Sequence, residues 1–185
     1  MIEKVSIQDN FLPKEEFDDL RDLIMHNESF PWFFGSNVVY MGEEQSVSPG
    51  QLVHWVYRYN VPASQYYETI TSLPSILKNM EVDILLRIKL NLNLRLPQPY
   101  ISSFHTDMAL DAEAKEHFTT SILYINTNNG YTEIENTGER IKNVANRLVT
   151  FPLTTKHRGV TQTDEQTRVV MNFNYLKYGI KSQEE

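Results

Sequence analysis

Residues 86–96 read LRIKLNLNLRL, and this stretch decides the fold. Leucine or isoleucine occupies every even position from Leu86 to Leu96, while arginine, lysine or asparagine occupies each odd position between them. Because successive side chains of a strand point to opposite faces, the alternation predicts one long strand with an apolar and a polar face. The apolar face must be buried against other elements. The polar face either contacts solvent or lines a polar cavity, and the pattern alone favours neither.

Segments with strand character follow this strand nearly to the end of the chain. Turn residues such as Asn128-Asn129-Gly130 and Pro152 separate them. We predict strands at 118–126, 131–135, 139–143, 147–151, 156–160 and 167–176. Many short strands behind an N-terminal helical part indicate an α+β protein, mostly β, with a jelly-roll core of two sheets.

The N-terminal part carries the helical signals. A helix is predicted over 13–29, because the apolar residues from Phe17 to Ile24 recur on one helical face. An aromatic strand is predicted at 52–59, and short helices are predicted between Pro62 and residue 81.

One domain is predicted for residues 1–185, because no repeat, low-complexity tract or linker divides the chain. A chain of 185 residues is long enough to bury a sizeable core. Helical support over about 1–82 is expected to pack on one side of a jelly-roll core over about 83–176.

Composition excludes several classes of protein and site. The chain has no cysteine, which excludes disulfides, thiolate metal sites and cysteine nucleophiles, so any metal must be held by nitrogen and oxygen. No apolar run approaches the roughly 20 residues that cross a bilayer, and the N-terminus has no signal-peptide pattern, so we expect a soluble cytoplasmic protein without a membrane partner. A formal charge of −7 argues against nonspecific binding to nucleic acid.

Candidate metal ligands begin in residues 101–107, which read ISSFHTD. If this segment is extended, His105 and Asp107 project from the same face and converge on one point. A further histidine, His157, and a basic residue at the start of an apolar strand, Arg168, follow later. Two histidines and a carboxylate on one side of a metal, with the other positions open, suit non-haem Fe(II) and its oxygen chemistry.

Six pieces of sequence share a recognisable order. They are Phe104 to Asp107, Ser121 to Asn126, Asn129 to Thr132, Asn146 to Pro152, His157 to Gly159 and Arg168 to Asn174. In this order they resemble the 2-oxoglutarate- and Fe(II)-dependent oxygenases, most closely the small prolyl-hydroxylase-like members, including those common in marine phage genomes. The resemblance covers roughly residues 83–176 and implies a double-stranded β-helix core of the jelly-roll or cupin-like type.

The resemblance also implies roles for individual residues. It makes His105, Asp107 and His157 the catalytic iron ligands. It makes Arg168 the partner of the distal carboxylate of 2-oxoglutarate, which the bidentate guanidinium suits, and it gives Tyr124 a hydrogen bond to the same carboxylate. Further contacts to the cosubstrate or substrate are implied on the polar face of the long strand, at Asn91 and Asn93.

Other polar and aromatic residues have two interpretations each. His54 and Trp55 either line the mouth of a substrate pocket or belong to an aromatic strand beside the core. His117 is a rival metal ligand. The acidic stretch from Asp111 to Glu116, just before it, is either a mobile lid or a plain surface excursion.

The predicted function is a dioxygenase that hydroxylates an aliphatic C–H bond and releases succinate and CO2. The resemblance implies Fe(II), 2-oxoglutarate and O2, with ascorbate as the reductant. The resemblance alone makes a prolyl residue in a peptide the leading substrate, followed closely by a free amino acid or another metabolite. A zinc-dependent hydrolase and a metal-binding jelly-roll module without turnover are the alternatives. No sequence feature specifies an oligomeric state.

Overall fold

The computed structural model describes residues 5–35, 49–73 and 75–177. Within these ranges the strands, in chain order, are β1 (Ser6–Gln8), β2 (Phe33–Gly35), β3 (Gln51–Arg58), β4 (Val61–Pro62), β5 (Val82–Leu94), β6 (Phe118–Tyr124), β7 (Tyr131–Ile134), β8 (Arg140–Lys142), β9 (Arg147–Pro152), β10 (His157–Val160) and β11 (Thr167–Lys177). The helices are α1 (Lys14–Met25), α2 (Tyr67–Thr71), α3 (Ile76–Asn79) and α4 (Ala112–Glu116). The mostly β composition agrees with the prediction.

Two antiparallel sheets form the core of the fold. The large sheet has the order β1-β9-β6-β11-β5-β3-β2, with β4 paired to β3, and the small sheet has the order β10-β7-β8. Isolated bridges from Ile101 to Val160 and from His105 to His157 attach residues 101–107 to the edge of the small sheet. We call these residues the HxD segment, after His105 and Asp107. This pair of sheets confirms the predicted jelly-roll core.

The long alternating segment forms β5, which pairs with β11 on one side and β3 on the other. Ile88 and Leu90 are fully buried on the face of the large sheet that we call the outer face. There they join a core that includes Phe17 and Leu20 of α1. Ile70 of α2 and Ile76 of α3 belong to the same core, so these three helices pack on one side of the sheet, where burial of apolar side chains stabilises the fold.

The opposite face of the large sheet, which we call the inner face, carries the polar positions of β5. Their register with β11 is Arg87 to Asn174, Lys89 to Asn172, Asn91 to Val170 and Asn93 to Arg168. A second apolar cluster joins this face to Ile134 of β7 and Ile141 of β8, so the small sheet covers it. On the polar side of β5, Asn93 is buried and Arg87, Lys89 and Asn91 are partly buried, so this side lines a partly enclosed polar space and is not a fully solvated surface.

The N-terminal part contributes strands as well as helices. β1 pairs with β9 and β3 pairs with β5, so these segments extend both edges of the large sheet. The first helix ends at Met25, short of the predicted residue 29, because the Asn27 side chain accepts a hydrogen bond from the Ser29 backbone at 2.9 Å and turns the chain. Among the described residues, no helix is long and apolar enough to cross a bilayer.

Candidate metal and anion site

Three side chains from separate parts of the chain converge between the two sheets. His105 and His157 face each other in an antiparallel bridge, with backbone N to O distances of 3.0 and 2.9 Å. One potential ligand atom of each of His105, Asp107 and His157 lies within 4.8 Å of the corresponding atoms of the other two. The backbone pairing therefore brings together three candidate residues of the sequence, although they lie about fifty positions apart in the chain.

Both histidine rings are oriented by a carbonyl oxygen two residues earlier. Nδ1 of His105 lies 3.0 Å from the Ser103 oxygen, and Nδ1 of His157 lies 3.2 Å from the Thr155 oxygen. A carbonyl oxygen only accepts hydrogen bonds, so each Nδ1 carries the proton. This contact leaves Nε2 as the nitrogen that faces the site, and the hydrogen bond at Nδ1 sets the ring orientation, as is usual for metal-binding histidines.

Two residues of the inner face hold Asp107. Arg87 contacts the Asp107 Oδ1 atom through Nη2 at 3.1 Å and donates from Nη1 to the Asp107 backbone oxygen at 2.8 Å. Asn174 donates to the Asp107 Oδ2 atom at 3.0 Å and to the Thr120 hydroxyl at 2.9 Å. Arg87, Asn174 and Thr120 were not among the sequence candidates. Only the position of Arg87 on the polar face of the alternating strand hinted at its contact.

These contacts determine the charge of the carboxylate. Burial acts to raise the pKa of Asp107, but Arg87, both histidines and the Asn174 hydrogen bond together hold that pKa well below its usual range. Burial also lowers the pKa of His157, against the opposing effect of Asp107. The His157 ring packs on Phe151 at a centroid distance of 4.8 Å. At neutral pH the site thus presents an imidazole without charge and a carboxylate, and this donor set fits divalent iron.

Arg168 is a buried cation without an anionic partner among the described residues. Its side chain is 5% exposed, and its hydrogen bond is a 3.4 Å contact from Nη2 to the Thr132 hydroxyl. Nε has no partner, and the guanidinium carbon lies 5.8 Å from the centre of the Tyr124 ring. Burial lowers the pKa of Arg168, but a guanidinium stays charged. Burying such a charge alone is unfavourable, so the site is suited to an anionic ligand.

Tyr124 and Thr132 line the same end of the inner face. The Tyr124 hydroxyl donates to the Thr132 hydroxyl at 2.8 Å. Burial raises the pKa of Tyr124, against the opposing charge of Arg168, so the phenol is neutral at physiological pH. The Thr132 hydroxyl accepts from Tyr124, and its own proton remains available for a ligand next to Arg168.

Asparagine side chains lie on the inner face between Arg168 and the three converging residues. The Oδ1 atoms of Asn91 and Asn172 are buried and have no hydrogen-bond partner in the described part of the chain. Asn93 is also buried, and its register partner is Arg168. Buried polar atoms without partners are rare in folded proteins, so this stretch is also suited to a bound polar molecule.

Gly130 leaves space for the Arg168 side chain, and we expect Gly130→Ala to destabilise the protein. A Cβ atom there would lie 2.8 Å from the Val160 oxygen, 2.9 Å from Arg168 Cδ and 2.9 Å from Asn128 Oδ1. Overpacking of this kind costs about 1–3 kcal/mol, which lowers the Tm by roughly 2–12 °C. Gly159→Ala is the control, because its Cβ would meet only Arg168 Nη1 at 3.7 Å. Equal Tm values for the two variants would contradict this expectation.

The two aromatic candidates of β3 lie on opposite faces. His54 is 2% exposed and packs on Phe30, while its ring nitrogens contact the Pro31 oxygen at 2.7 Å and the Ser64 hydroxyl at 2.8 Å. The structure therefore does not bring His54 to the site, because its strand position directs it to the outer face. Trp55 is the register partner of Lys89 and lies on the inner face.

The remaining sequence candidates lie beside the HxD segment. His117 is exposed at the end of α4 and is not part of the cluster that could hold a metal. The acidic stretch forms α4, whose first turn is capped by Asp111 through a 2.7 Å hydrogen bond from Ala114. Lys115 donates to the Thr106 hydroxyl at 2.8 Å and so connects the helix to the HxD segment. A lid role for this stretch stays a prediction.

Several solved structures share this fold. A 2-oxoglutarate–Fe(II) oxygenase family oxidoreductase from Burkholderia pseudomallei aligns with a TM-score of 0.64 at 11% identity, over 97% of this chain and 88% of that one. A viral collagen prolyl hydroxylase from Paramecium bursaria Chlorella virus-1, in complex with 2-oxoglutarate, aligns with a TM-score of 0.55 at 12% identity, over 94% of this chain and 97% of that one. A Trichoplax adhaerens prolyl hydroxylase in complex with a hypoxia inducible factor peptide fragment aligns with a TM-score of 0.58 at 17% identity, over 97% of this chain and 87% of that one.

No protein-family model and no curated protein matches the sequence. At these identities the structural matches show the fold, and they confirm at that level the resemblance predicted from the sequence. The double-stranded β-helix assignment is thereby established, while the chemistry must be argued from the site itself.

Proposed function

We propose, from the fold that it shares with 2-oxoglutarate–Fe(II) oxygenases, that this protein is an Fe(II)- and 2-oxoglutarate-dependent dioxygenase. One observation supports this above the others. The converging residues His105, Asp107 and His157 share an interior with Arg168, a buried cation for which the described residues supply no anion. A metal site beside an unpaired guanidinium is what a chelating diacid requires, with one end on the metal and the other on the arginine.

The residues divide the work of binding. Nε2 of each histidine and the Asp107 carboxylate would hold Fe(II), while Arg87 and Asn174 keep that carboxylate ionised and oriented. Arg168 and the Thr132 hydroxyl would take the distal carboxylate of 2-oxoglutarate. The apolar cluster between the sheets excludes water from the interior.

The reaction follows from the groups that would be bound. With O2, iron and 2-oxoglutarate supply an oxidative decarboxylation, in which one oxygen atom enters succinate and the other enters a C–H bond of the substrate as hydroxyl. The products are succinate, CO2 and the hydroxylated molecule. Ascorbate is included as the reductant that keeps iron in the Fe(II) state.

A peptide containing proline is the first substrate to test. Several of the structures with this fold are named prolyl hydroxylases, and one of them was solved with a peptide fragment. These names support a peptide for this protein by likeness, and free amino acids and other metabolites form the next group.

The function is tested by succinate release. Purified protein with Fe(II), ascorbate and 2-oxoglutarate should release succinate, and a substrate from a panel of peptides, amino acids and metabolites should increase the rate and gain one oxygen in mass. Replacing Fe(II) with Zn(II) should abolish release, which separates this function from a zinc hydrolase. Absence of both 2-oxoglutarate binding and succinate release would contradict the proposal, whereas binding without turnover would favour a binding module.

A further inference from the structure

Lys89 is a second cation on the inner face, and within the described part of the chain it has no ion pair. Its side chain is partly buried, and its Nζ atom makes no hydrogen bond or ion pair with any described residue. The Nζ atom lies over an aromatic ring, the indole of Trp55, at 5.1 Å from the ring centroid. Arg87, the preceding inner-face residue of β5, differs in that it is paired with Asp107.

The strand register places Lys89 on the same face of the sheet as the proposed binding site of 2-oxoglutarate. It lies opposite Asn172 on β11 and opposite Trp55 on β3. The distal carboxylate was assigned to Arg168 on β11 and to the Thr132 hydroxyl on β7. Asn93 of β5 lies opposite Arg168, and Lys89 lies four residues before Asn93, so Lys89 is displaced along the sheet from the group that would hold the distal end of the diacid.

Trp55 is the aromatic residue of this side of the site, and two cations, Lys89 and Arg58, lie against its ring. The Arg58 guanidinium carbon lies 5.0 Å from the Trp55 ring centroid, so two cations contact one indole. The register of β3 shifts between Trp55 and Tyr57 where it pairs with β5. Irregularities of this kind redirect side chains and are common beside functional sites.

The charge of Lys89 is costly to bury. Burial lowers the pKa of Lys89 to about 8, Arg87 acts in the same direction, and Asp107 opposes the change. The ammonium is still mostly protonated at pH 7, and an anion placed beside it would replace the lost hydration. The two carboxylates of 2-oxoglutarate already have partners, one at Arg168 and one at the metal, so the anion must come from another molecule.

We propose that Lys89, with Trp55 beside it, binds a carboxylate of the molecule to be oxidised. This inference rests on the proposed function, and it narrows the substrate to compounds that carry a free carboxylate near the C–H bond. Among the substrates proposed above, amino acids and other carboxylic acids are therefore favoured over compounds in which this carboxylate is replaced by an amide.

Trp55 provides a readout that does not depend on turnover. The chain has two tryptophans, so Trp32→Phe leaves Trp55 as the single fluorescent reporter next to Lys89. In this background, loaded with Mn(II) and 2-oxoglutarate without O2, acetate, L-proline and N-acetyl-L-proline are titrated beside acetamide, L-prolinamide and N-acetyl-L-prolinamide. We expect at least one acid to bind about 10- to 100-fold more tightly than its amide, because hydrogen bonds to charged groups contribute that much.

Lys89→Met should abolish the preference for the acid. Without ligands, the same variant should keep or raise its Tm, because it removes an unpaired buried charge; a merely structural lysine would lower it. Lys142→Met, at an exposed position of β8, is the control and should keep the preference.

Each other outcome overturns the inference. Equal binding of acids and amides, no binding of any probe, or an unchanged preference in Lys89→Met would each do so. A loss of 2-oxoglutarate affinity in Lys89→Met would assign the residue to the cosubstrate. If the parent protein binds 2-oxoglutarate and releases succinate while the probe result is negative, this inference alone fails. If the parent does neither, the proposed function fails.

Discussion

Replacing His157 with alanine should weaken Fe(II) binding by more than about 100-fold while the protein remains folded. Loss of a residue that only orients a metal ligand already costs 10- to 100-fold, so loss of a ligand itself should cost more. Among the described residues, the ionic contact of His157 is a long one, 3.8 Å from its Nε2 atom to the Asp107 Oδ1 atom, and we do not expect the fold to depend on it. Its removal should therefore leave a small cavity beside Phe151 without exposing an unpaired charge.

Metal binding is measured by anaerobic titration calorimetry with Fe(II), and folding by circular dichroism. His26→Ala is the matched control, since His26 is exposed at the end of α1 and far in sequence from the cluster. A His157→Ala protein that binds Fe(II) as tightly as the parent would remove the residue from the ligand set.

Asp107→Ala is a useful contrast to the histidine variant. It should lose the metal as well, but it also leaves Arg87 buried without its carboxylate. Breaking a buried ion pair in this way costs about 3–5 kcal/mol, so the Tm should fall markedly in this variant and much less in His157→Ala.

Arg168→Gln should raise the Kd for 2-oxoglutarate by roughly 30-fold or more without changing the affinity for the metal. Truncating one member of a buried, hydrogen-bonded charge pair costs about 2–5 kcal/mol, and each 1.4 kcal/mol is a factor of ten. Glutamine keeps part of the side-chain volume but loses the bidentate guanidinium that suits a carboxylate. The contacts of His105, Asp107 and His157 do not involve Arg168, so Fe(II) should bind normally.

The measurement is the Kd of 2-oxoglutarate for the Fe(II) protein, followed without O2 by the visible absorption of the chelate. Arg158→Gln is the control: this arginine belongs to β10 but is paired with Glu133 at 2.7 Å, so its loss should leave the affinity unchanged. Without ligand, Arg168→Gln should be at least as stable as the parent, because an unpaired buried cation is gone. An unaltered Kd in Arg168→Gln would mean that the diacid binds elsewhere.

Local patterns in the sequence determined much of this protein. The alternation from Leu86 to Leu96 predicted a strand with Ile88 and Leu90 on its buried side, because the period of two is a property of strand geometry alone. The strand itself runs from Val82 to Leu94 and Leu94 is 60% exposed, so the predicted bounds and the burial of the whole apolar face were wrong. The order of HxD, a distal histidine and an arginine, through the resemblance that it carries, singled out His105, Asp107, His157 and Arg168 as candidates before any coordinates, and their roles stay predictions. These features depend on residue type and spacing, which the chain carries without reference to its fold.

Only the tertiary structure decided which environment each face meets. The polar side of β5 lines a partly enclosed polar space because the small sheet packs over it, and strand pairing between distant segments cannot be read from one strand. The same pairing brought Arg87 to Asp107, turned His54 to the outer face and brought Trp55 opposite Lys89. It also left Arg168 and Lys89 without an ion pair to any residue that the structure describes. Register and sheet packing are long-range properties, so the charges that point to a ligand became visible only once the strands were assembled.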